Sequence, residues 1–350
     1  MQPRRPAPAT PHLLALAALA LVLAPGCPHA QPCDTAADCD DGNADTTDSC
    51  GEEGVCAHAP LCSGEECKRN PCSTAYVAEG GLKVAVLDVG QGDAIAIVAP
   101  SGCAAVVDGG PTFSGATIRS WLRTQGVTSV DFAVASHYHA DHLGGLDELE
   151  EGSDPLPVAM AYDRGRASLP SDSSSYDQYA ATFEGRRRQV AVGDSWNLCE
   201  EVCFQVLAAN ANGESTTDEN ARSVVLRLRY GAFTMLLGGD LTSSMESSIG
   251  SRAGKVDVYK VHHHGSATSS TNGFLSDIRP TTSLISVGFD NSFGHPATST
   301  MNRLADVDSA VWRTEDSTKS LGNIVIAVDS ATTFTVSQGT GKAEYTVKGR

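Results

Sequence analysis

The chain has 350 residues, room for one large domain or two smaller ones, and its 41% hydrophobic and 19% charged composition excludes an intrinsically disordered protein. The formal net charge is -17, and Arg186, Arg187 and Arg188 form the only basic cluster, expected as the solvated start of a strand. This balance speaks against tight, sequence-independent binding of a phosphate backbone. Hydrolysis of a phosphodiester at bound dications stays open, because metal ions supply positive charge locally.

Residues 1–26 read as a signal peptide. Arg4 and Arg5 precede the apolar run Leu13–Leu23, which is too short to span a bilayer comfortably. The run ends at Leu23-Ala24-Pro25-Gly26-Cys27, similar to a lipobox whose cysteine is lipidated; cleavage after Ala24 is the competing reading. Cysteine parity favours lipidation of Cys27. Of eleven cysteines, removing one leaves an even ten for an oxidising compartment. The expected location is therefore outside the cytoplasm, as an envelope lipoprotein or a secreted protein.

Residues 27–78 form a cysteine-rich, disulfide-stapled segment. Cysteines at 33, 39, 50, 56, 62, 67 and 72 are separated by Asp, Gly, Asn and Thr, with few aliphatic residues to build a core. The acidic stretch Asp38–Asp45 lacks the spacing and closing Glu of a calcium loop. One of these cysteines is expected to reach Cys103. Cys199 and Cys203 flank a tight turn and could bridge each other; spacing alone does not give the connectivity.

From residue 81 to 350, β-branched runs alternate with helical patterns. Strands are expected at 82–89, 94–99, 104–108, 130–136, 158–162, 202–208, 223–229, 233–237, 256–261, 282–287, 311–314, 324–329 and 333–337. Helices are expected near 116–125, 142–150, 174–183, 244–249, 272–278 and 298–304. This order predicts an α/β (α+β) domain of two packed sheets with helices outside. No internal repeat is present at these lengths.

The chemistry concentrates at strand ends. His137-Tyr138-His139-Ala140-Asp141-His142 follows the apolar run Val130–Ser136 and packs three of the chain's ten histidines into six positions. Imidazole and carboxylate are ligands for first-row dications, zinc above all. In extended chain, residues two apart project to one side, so His137 and His139 can grip one ion. Asp141 and His142 then face a second. Asp240, after Gly238-Gly239 at the end of an apolar run, can bridge two ions; as an isolated residue it could equally cap a helix. His262-His263-His264 also ends a strand, and at least one of them is expected to be a ligand. His295, in Gly294-His295-Pro296, is either a further site residue or an ordinary loop histidine.

With these motifs in order, residues 81–350 resemble a metallo-β-lactamase-fold hydrolase of the branch typified by the extracytoplasmic domain of the competence protein ComEC. The matching elements are Leu87–Ala94, Val107–Gly110, Ser136–Gly145, Gly238–Asp240, Lys260–Ser266 and Gly294–Pro296. The resemblance implies an αββα sandwich with two divalent metal ions in the cleft between the sheets. His137 and His139 would serve one ion, Asp141 and His142 the other. Asp240 would bridge them, His263 would complete the set, and Asp108 would orient a ligand histidine. The wider superfamily often places a ligand histidine between His142 and Asp240; this chain has Asn220 and Ser223 there instead, as the ComEC-like branch does. That predicts one tight and one weak metal site, with zinc favoured and manganese the alternative, and it counts against β-lactam hydrolysis.

Asp141 is expected to hold the nucleophilic water, and His264 or His295 to protonate the leaving group. Lys260, Asn220 and Ser266 are expected substrate contacts. The favoured function is metal-dependent hydrolysis of a phosphodiester, with nucleic acid or another small or weakly held substrate as partner. Ester, lactone or thioester hydrolysis on the same site is the second reading, and a non-catalytic surface-binding lipoprotein the third. A membrane is expected as partner only through a lipid anchor, and nothing in the sequence specifies an oligomeric state.

Overall fold

A computed structural model describes residues 46–50, 56–60 and 80–348, apart from 171, 172, 290 and 317. The expected signal peptide, the lipidation of Cys27, the stretch Asp38–Asp45 and the cysteines at 33, 39, 62, 67 and 72 lie outside these residues. The chain divides into two compact units, Met1–Leu61 and Cys62–Arg350. In the first, β1 (Thr46–Cys50) and β2 (Cys56–Pro60) pair antiparallel, with Cys50 opposite Cys56.

The second unit opens with an antiparallel meander, β3 (Lys83–Val86), β4 (Ala94–Val98) and β5 (Ala104–Gly109). Parallel crossovers follow through α1 (Gly115–Thr124), β6 (Phe132–Val134), α2 (Ala140–Leu143), β7 (Ala161–Asp163), α3 (Ser174–Thr182) and β8 (Arg187–Gln189). A second meander is formed by β9 (Ser195–Leu198), β10 (Val202–Ala208), β11 (Val225–Tyr230) and β12 (Phe233–Leu237). It continues in parallel through α4 (Ser243–Ala253), β13 (Val258–Lys260), α5 (Asn272–Ile278), β14 (Thr282–Ile285), α6 (Thr298–Asp306) and β15 (Ala310–Arg313). The chain then returns to the first sheet with β16 (Ile324–Val328), β17 (Thr333–Gln338) and β18 (Gly341–Thr346).

Among the described residues of this unit, one sheet runs β18-β17-β16-β3-β4-β5-β6-β7-β8 and the other β15-β14-β13-β12-β11-β10-β9. Side-chain alternation along each strand builds three apolar layers. Val84, Ile95 and Val107 face Phe204, Leu226 and Met235 between the sheets. Their neighbours Ala85, Ala96 and Val106 face outward onto Ile118 and Leu122 of α1 and Tyr179 of α3. On the opposite side Leu236 and Tyr259 pack on Ile249, Phe274 and Leu304 of α4, α5 and α6. Each fully buried Val, Leu, Ile or Phe contributes roughly 1.5–3 kcal/mol. The result is the expected order of helix, sheet, sheet, helix.

Four expectations need correction. The helix expected over 142–150 begins two residues earlier and breaks at Gly144-Gly145 into α2 and a 3-10 turn at Asp147–Glu150. Three short strands, β8, β9 and β18, are edge or near-edge strands whose half-exposed residues carry little apolar signal. The basic cluster does start a strand but is not solvated: Arg186 pairs with Glu150 at 2.7 Å and Arg187 with Asp163 at 2.8 Å. Finally, Cys199 bridges Cys103 across 96 residues of sequence, so it does not bond Cys203, and Cys103 does not pair with the cysteine-rich segment. Cys203 is disulfide-bonded to a different cysteine.

Candidate metal centre

Where the two sheets present the ends of their parallel strands, β5 and β6 meet β12 and β13. Asp108 leaves β5 with a left-handed backbone (φ 59°), a conformation that Asp tolerates better than most residues. Its Oδ1 accepts the Ser136 N–H at 2.7 Å, and its Oδ2 accepts the Ser136 hydroxyl at 2.7 Å and His142 Nδ1–H at 2.9 Å. One carboxylate thereby fixes the end of β6 and the first turn of α2 together. Ser136 Oγ lies 3.0 Å from His137 Nδ1, so the same carboxylate orients a second ring through the hydroxyl.

Two groups of potential ligands form here, and they share Asp240. The first is His137, His139 and Asp240; the second is Asp93, His142, Asp240 and His264, all buried. His142 Nε2 lies 3.1 Å from Asp240 Oδ1 and 3.3 Å from His264 Nε2. His264 Nε2 lies 3.4 Å from Asp240 Oδ1 and 3.5 Å from Asp141 Oδ2. His137 Nε2 lies 3.1 Å from His139 Nδ1.

The donor chemistry tests whether a cation fits. A carboxylate and a carbonyl only accept, so the His142 proton sits on Nδ1 toward Asp108, and the His264 proton on Nδ1 toward the Ser286 carbonyl at 3.0 Å. Both Nε2 atoms then turn lone pairs toward each other and toward Asp240. Asp240 Oδ1 is buried and accepts no hydrogen bond. Such a convergence of bare acceptors is costly unless a positive charge stands among them. The residues fit a divalent ion.

With no ion among them, the same lone pairs draw protons instead. Burial opposes a charged His142, yet Asp240, Asp108 and Asp141 outweigh it and hold the imidazole well above its ordinary range. Burial likewise opposes charge on Asp240, but His264, His142 and His137 keep it well below the usual carboxylate range. His264 is lifted to about 9 against its burial, by Asp240 and Asp93. The centre favours positive charge.

The sequence profile of the metallo-beta-lactamase superfamily matches residues 87–288, the span that carries all of these candidate ligands. The chain belongs to the metallo-beta-lactamase superfamily. Recombination protein 2 of Haemophilus influenzae is 31% identical over 237 residues, which cover 66% of this chain and 27% of that protein. Competence protein ComA of Neisseria gonorrhoeae is 29% identical over 243 residues, covering 68% of this chain and 32% of that protein. The chain thus spans about a third or less of these relatives, and the expected likeness to ComEC-type competence proteins is present in them. A solved diphosphatase of the PhnP family is similar at 13% identity and a TM-score of 0.41, covering 71% of this chain and 99% of that one.

The metallo-beta-lactamase framework brings most of the expected ligands together, with changes at the triple histidine. His263 and His264 both adopt left-handed backbone (φ 52° and 53°), so the run does not alternate as a strand would. His264 enters the buried group; His263, partly exposed, stands at its rim with Nε2 3.5 Å from Asp240 Oδ2. His264 stands in the buried position expected of His263, its Nε2 turned toward His142 and Asp240. His262 has a separate task. Its Nδ1 meets the buried Glu246 at 3.0 Å, and Glu246 also accepts the backbone N–H groups of Ser270 and Thr271.

Lys260 was expected to contact substrate, but it is 1% exposed and its Nζ lies 2.6 Å from Asp93 Oδ2. The apolar neighbours of a strand end conceal this pairing from sequence spacing. Ser266 is also buried, its hydroxyl 2.9 Å from Thr268 Oγ1, which removes it as a contact. Asn220 is half-buried in the 3-10 turn before β11, and its Oδ1 has no hydrogen-bond partner. Asp141 is one-third exposed at the mouth of the second group. His295 lies with its ring 5.5 Å from that of His263; burial, His263 and His264 lower its pKa to about 4, so it is neutral at pH 7.

Asp93 is the site residue that spacing missed. The signal was its place at the end of Gly90-Gln91-Gly92-Asp93. Gly92 (φ 143°) passes so close to the Asp141 carbonyl that a Cβ would stand 2.3 Å from it, and only glycine permits that approach. Asp93 N–H then donates to the Asp141 carbonyl, tying this loop to α2.

Proposed function

We propose that this chain is an exported metal-dependent phosphodiesterase. The observation that carries the reading is Asp240 shared by two ligand groups, an arrangement suited to holding two ions on either side of a phosphoryl group. Divalent ions, when bound, supply a water-derived nucleophile near neutral pH and charge stabilisation for the phosphoryl oxygens. His137 and His139 would hold one ion, His142, His264 and Asp93 or Asp141 the other, with Asp240 between them. Zinc suits the imidazole-rich set, and manganese suits the carboxylates. The first group has three ligands, one of them exposed, so it would hold its ion more weakly than the buried second group.

Asp141, open to solvent on one side, would orient the attacking water and accept its proton. Neutral His295 at the rim would hydrogen-bond the departing oxygen through its remaining N–H. Export is supported by the Arg4-Arg5 and Leu13–Leu23 pattern and by the Cys103–Cys199 disulfide, a bond that persists in oxidising compartments. Among the described residues no helix is long and apolar enough to cross a membrane; lipidation of Cys27 is the membrane contact proposed.

The test uses the full chain made under oxidising conditions and loaded separately with zinc and with manganese. A chromogenic phosphodiester, single-stranded DNA and a lactone are compared, with Asp141→Asn as the control. Metal-dependent phosphodiester cleavage lost in Asp141→Asn is expected. Turnover of the lactone alone would replace this reading with ester hydrolysis.

A further inference from the structure

Beyond His295, a cavity of about 310 Å³ opens between the loop after β14 and the end of β15. That is near the lower end of small-molecule sites, roughly 300–1,000 Å³. Two residues of its wall carry unused polar capacity. Glu315 is 6% exposed, and its Oε2 has no hydrogen-bond partner. Arg313, two residues earlier in extended chain, makes no ion pair or side-chain hydrogen bond among the described residues. Arg313 and Glu315 line one cavity without pairing with each other. A buried acceptor left unmade costs roughly 1–3 kcal/mol, so its persistence points to a ligand that satisfies it. Asp316, the other carboxylate of the wall, is occupied by the backbone of Thr318 and Lys319.

Outside the cavity, next to its wall residue His295, the surface is aromatic. Phe289 and Phe293 are 51% and 67% exposed. Phe293 stacks on His295 with ring centroids 5.8 Å apart and 18° between planes, and His295 in turn faces His263 beside Asp240. Phe293, the Arg313 guanidinium and the free Glu315 oxygen thus lie on or beside one cavity that His295 joins to His263. Flat heterocycles with N–H edges and an attached phosphate match that set of groups. Burial and a hydrogen bond with the neighbouring Asp88 raise the Glu315 carboxyl to about 7, which leaves Oε2 as its open atom.

We propose that this cavity receives the nucleobase adjoining the scissile phosphodiester, with Phe293 stacking on the base, Glu315 bonding its edge and Arg313 countering the next phosphate. The proposal rests on the phosphodiesterase reading and names its substrate class as nucleotides with unpaired bases. Base-on-aromatic stacking is worth about 1–3 kcal/mol, which sets the expected effect.

Zinc-loaded full chain is titrated calorimetrically with AMP, GMP, CMP and UMP, and with ribose 5-phosphate as the base-free probe. At least one nucleotide is expected to bind about 10-fold more tightly than ribose 5-phosphate. Phe293→Ala and Glu315→Gln are expected to remove that difference; Phe293 is exposed, so its loss leaves folding intact even where Glu315→Gln disturbs the wall. Equal binding of nucleotides and ribose 5-phosphate overturns the base cavity, as does a difference that survives Phe293→Ala and a folded Glu315→Gln. Turnover of methyl 4-nitrophenyl phosphate, which has no base, reports on the phosphodiesterase reading separately. A base-dependent affinity without that turnover supports the cavity and removes the catalytic assignment.

Discussion

Lys260 Nζ stands 2.6 Å from Asp93 Oδ2, with both side chains 1% exposed, in the wall of the metal centre. Burial opposes charge on Asp93, but Lys260 and His264 outweigh it and lower its pKa to about 2. The pair ties the loop before β4 to the end of β13, one element from each sheet.

Removing one partner leaves the other charge buried alone, at a cost of about 3–5 kcal/mol. Lys260→Met is therefore expected to lower unfolding stability by that amount in urea denaturation. The double variant Lys260→Met, Asp93→Asn is expected to recover much of the loss. A Lys260→Met protein of ordinary stability and raised KM would return Lys260 to substrate contact.

Asp108 is expected to act on metal affinity more than on fold. Asp108→Asn keeps a residue that accepts left-handed backbone but replaces an oxygen facing His142 Nδ1 and Ser136 with a weaker or mismatched partner. Loss of such an orienting carboxylate typically costs 10–100-fold in metal affinity, about the range expected here in a competitive chelator titration. An unchanged affinity would mean that His142 is held by packing alone.

The two ligand groups are expected to empty separately. His139→Ala removes an exposed ligand from the first group and should leave the ion of the buried second group in place. Asp240→Asn should weaken both. Metal content after dialysis, measured by plasma mass spectrometry, distinguishes them. Loss of all metal from His139→Ala would contradict a second group that stands alone.

His295 predicts an acid-side weakness. Its folded pKa, lowered to about 4, lies below the unfolded imidazole near 6.5. The unfolded chain takes up the proton first as pH falls, so the stability tied to neutral His295 is present above about 6.5 and lost on descending toward 4. In thermal unfolding, His295→Gln is expected to show a smaller drop between pH 7 and pH 5 than the unsubstituted chain. Equal drops would place the ring in open solvent.

The Cys103–Cys199 bond closes 96 residues of sequence, and a loop of that length predicts roughly 4–5 kcal/mol by chain entropy. The double variant Cys103→Ser, Cys199→Ser is expected to lose about 2–4 kcal/mol, allowing for residual structure in the unfolded chain. A loss below about 1 kcal/mol would mean that the register of β9 and β10 alone holds this end.

The amino-acid sequence by itself determined the layers and the nature of the site. Alternating apolar residues dictate strands whose two faces must both be covered, and imidazoles and carboxylates at strand ends dictate a cation. His137, His139, His142 and Asp240 were legible because ligands supplied at a strand end sit within a few residues of an apolar run. What the tertiary structure decided was which polar groups are spent inside. Lys260 and Asp93, 167 residues apart, meet only when β13 lies across from the loop before β4. Two successive left-handed residues turn His264 inward and leave His263 at the rim, a backbone choice that the run of three identical side chains does not reveal. Pairing of charges and cysteines across sheets depends on contacts distant in sequence, and that is why spacing pointed to the candidate ligands but not to their partners.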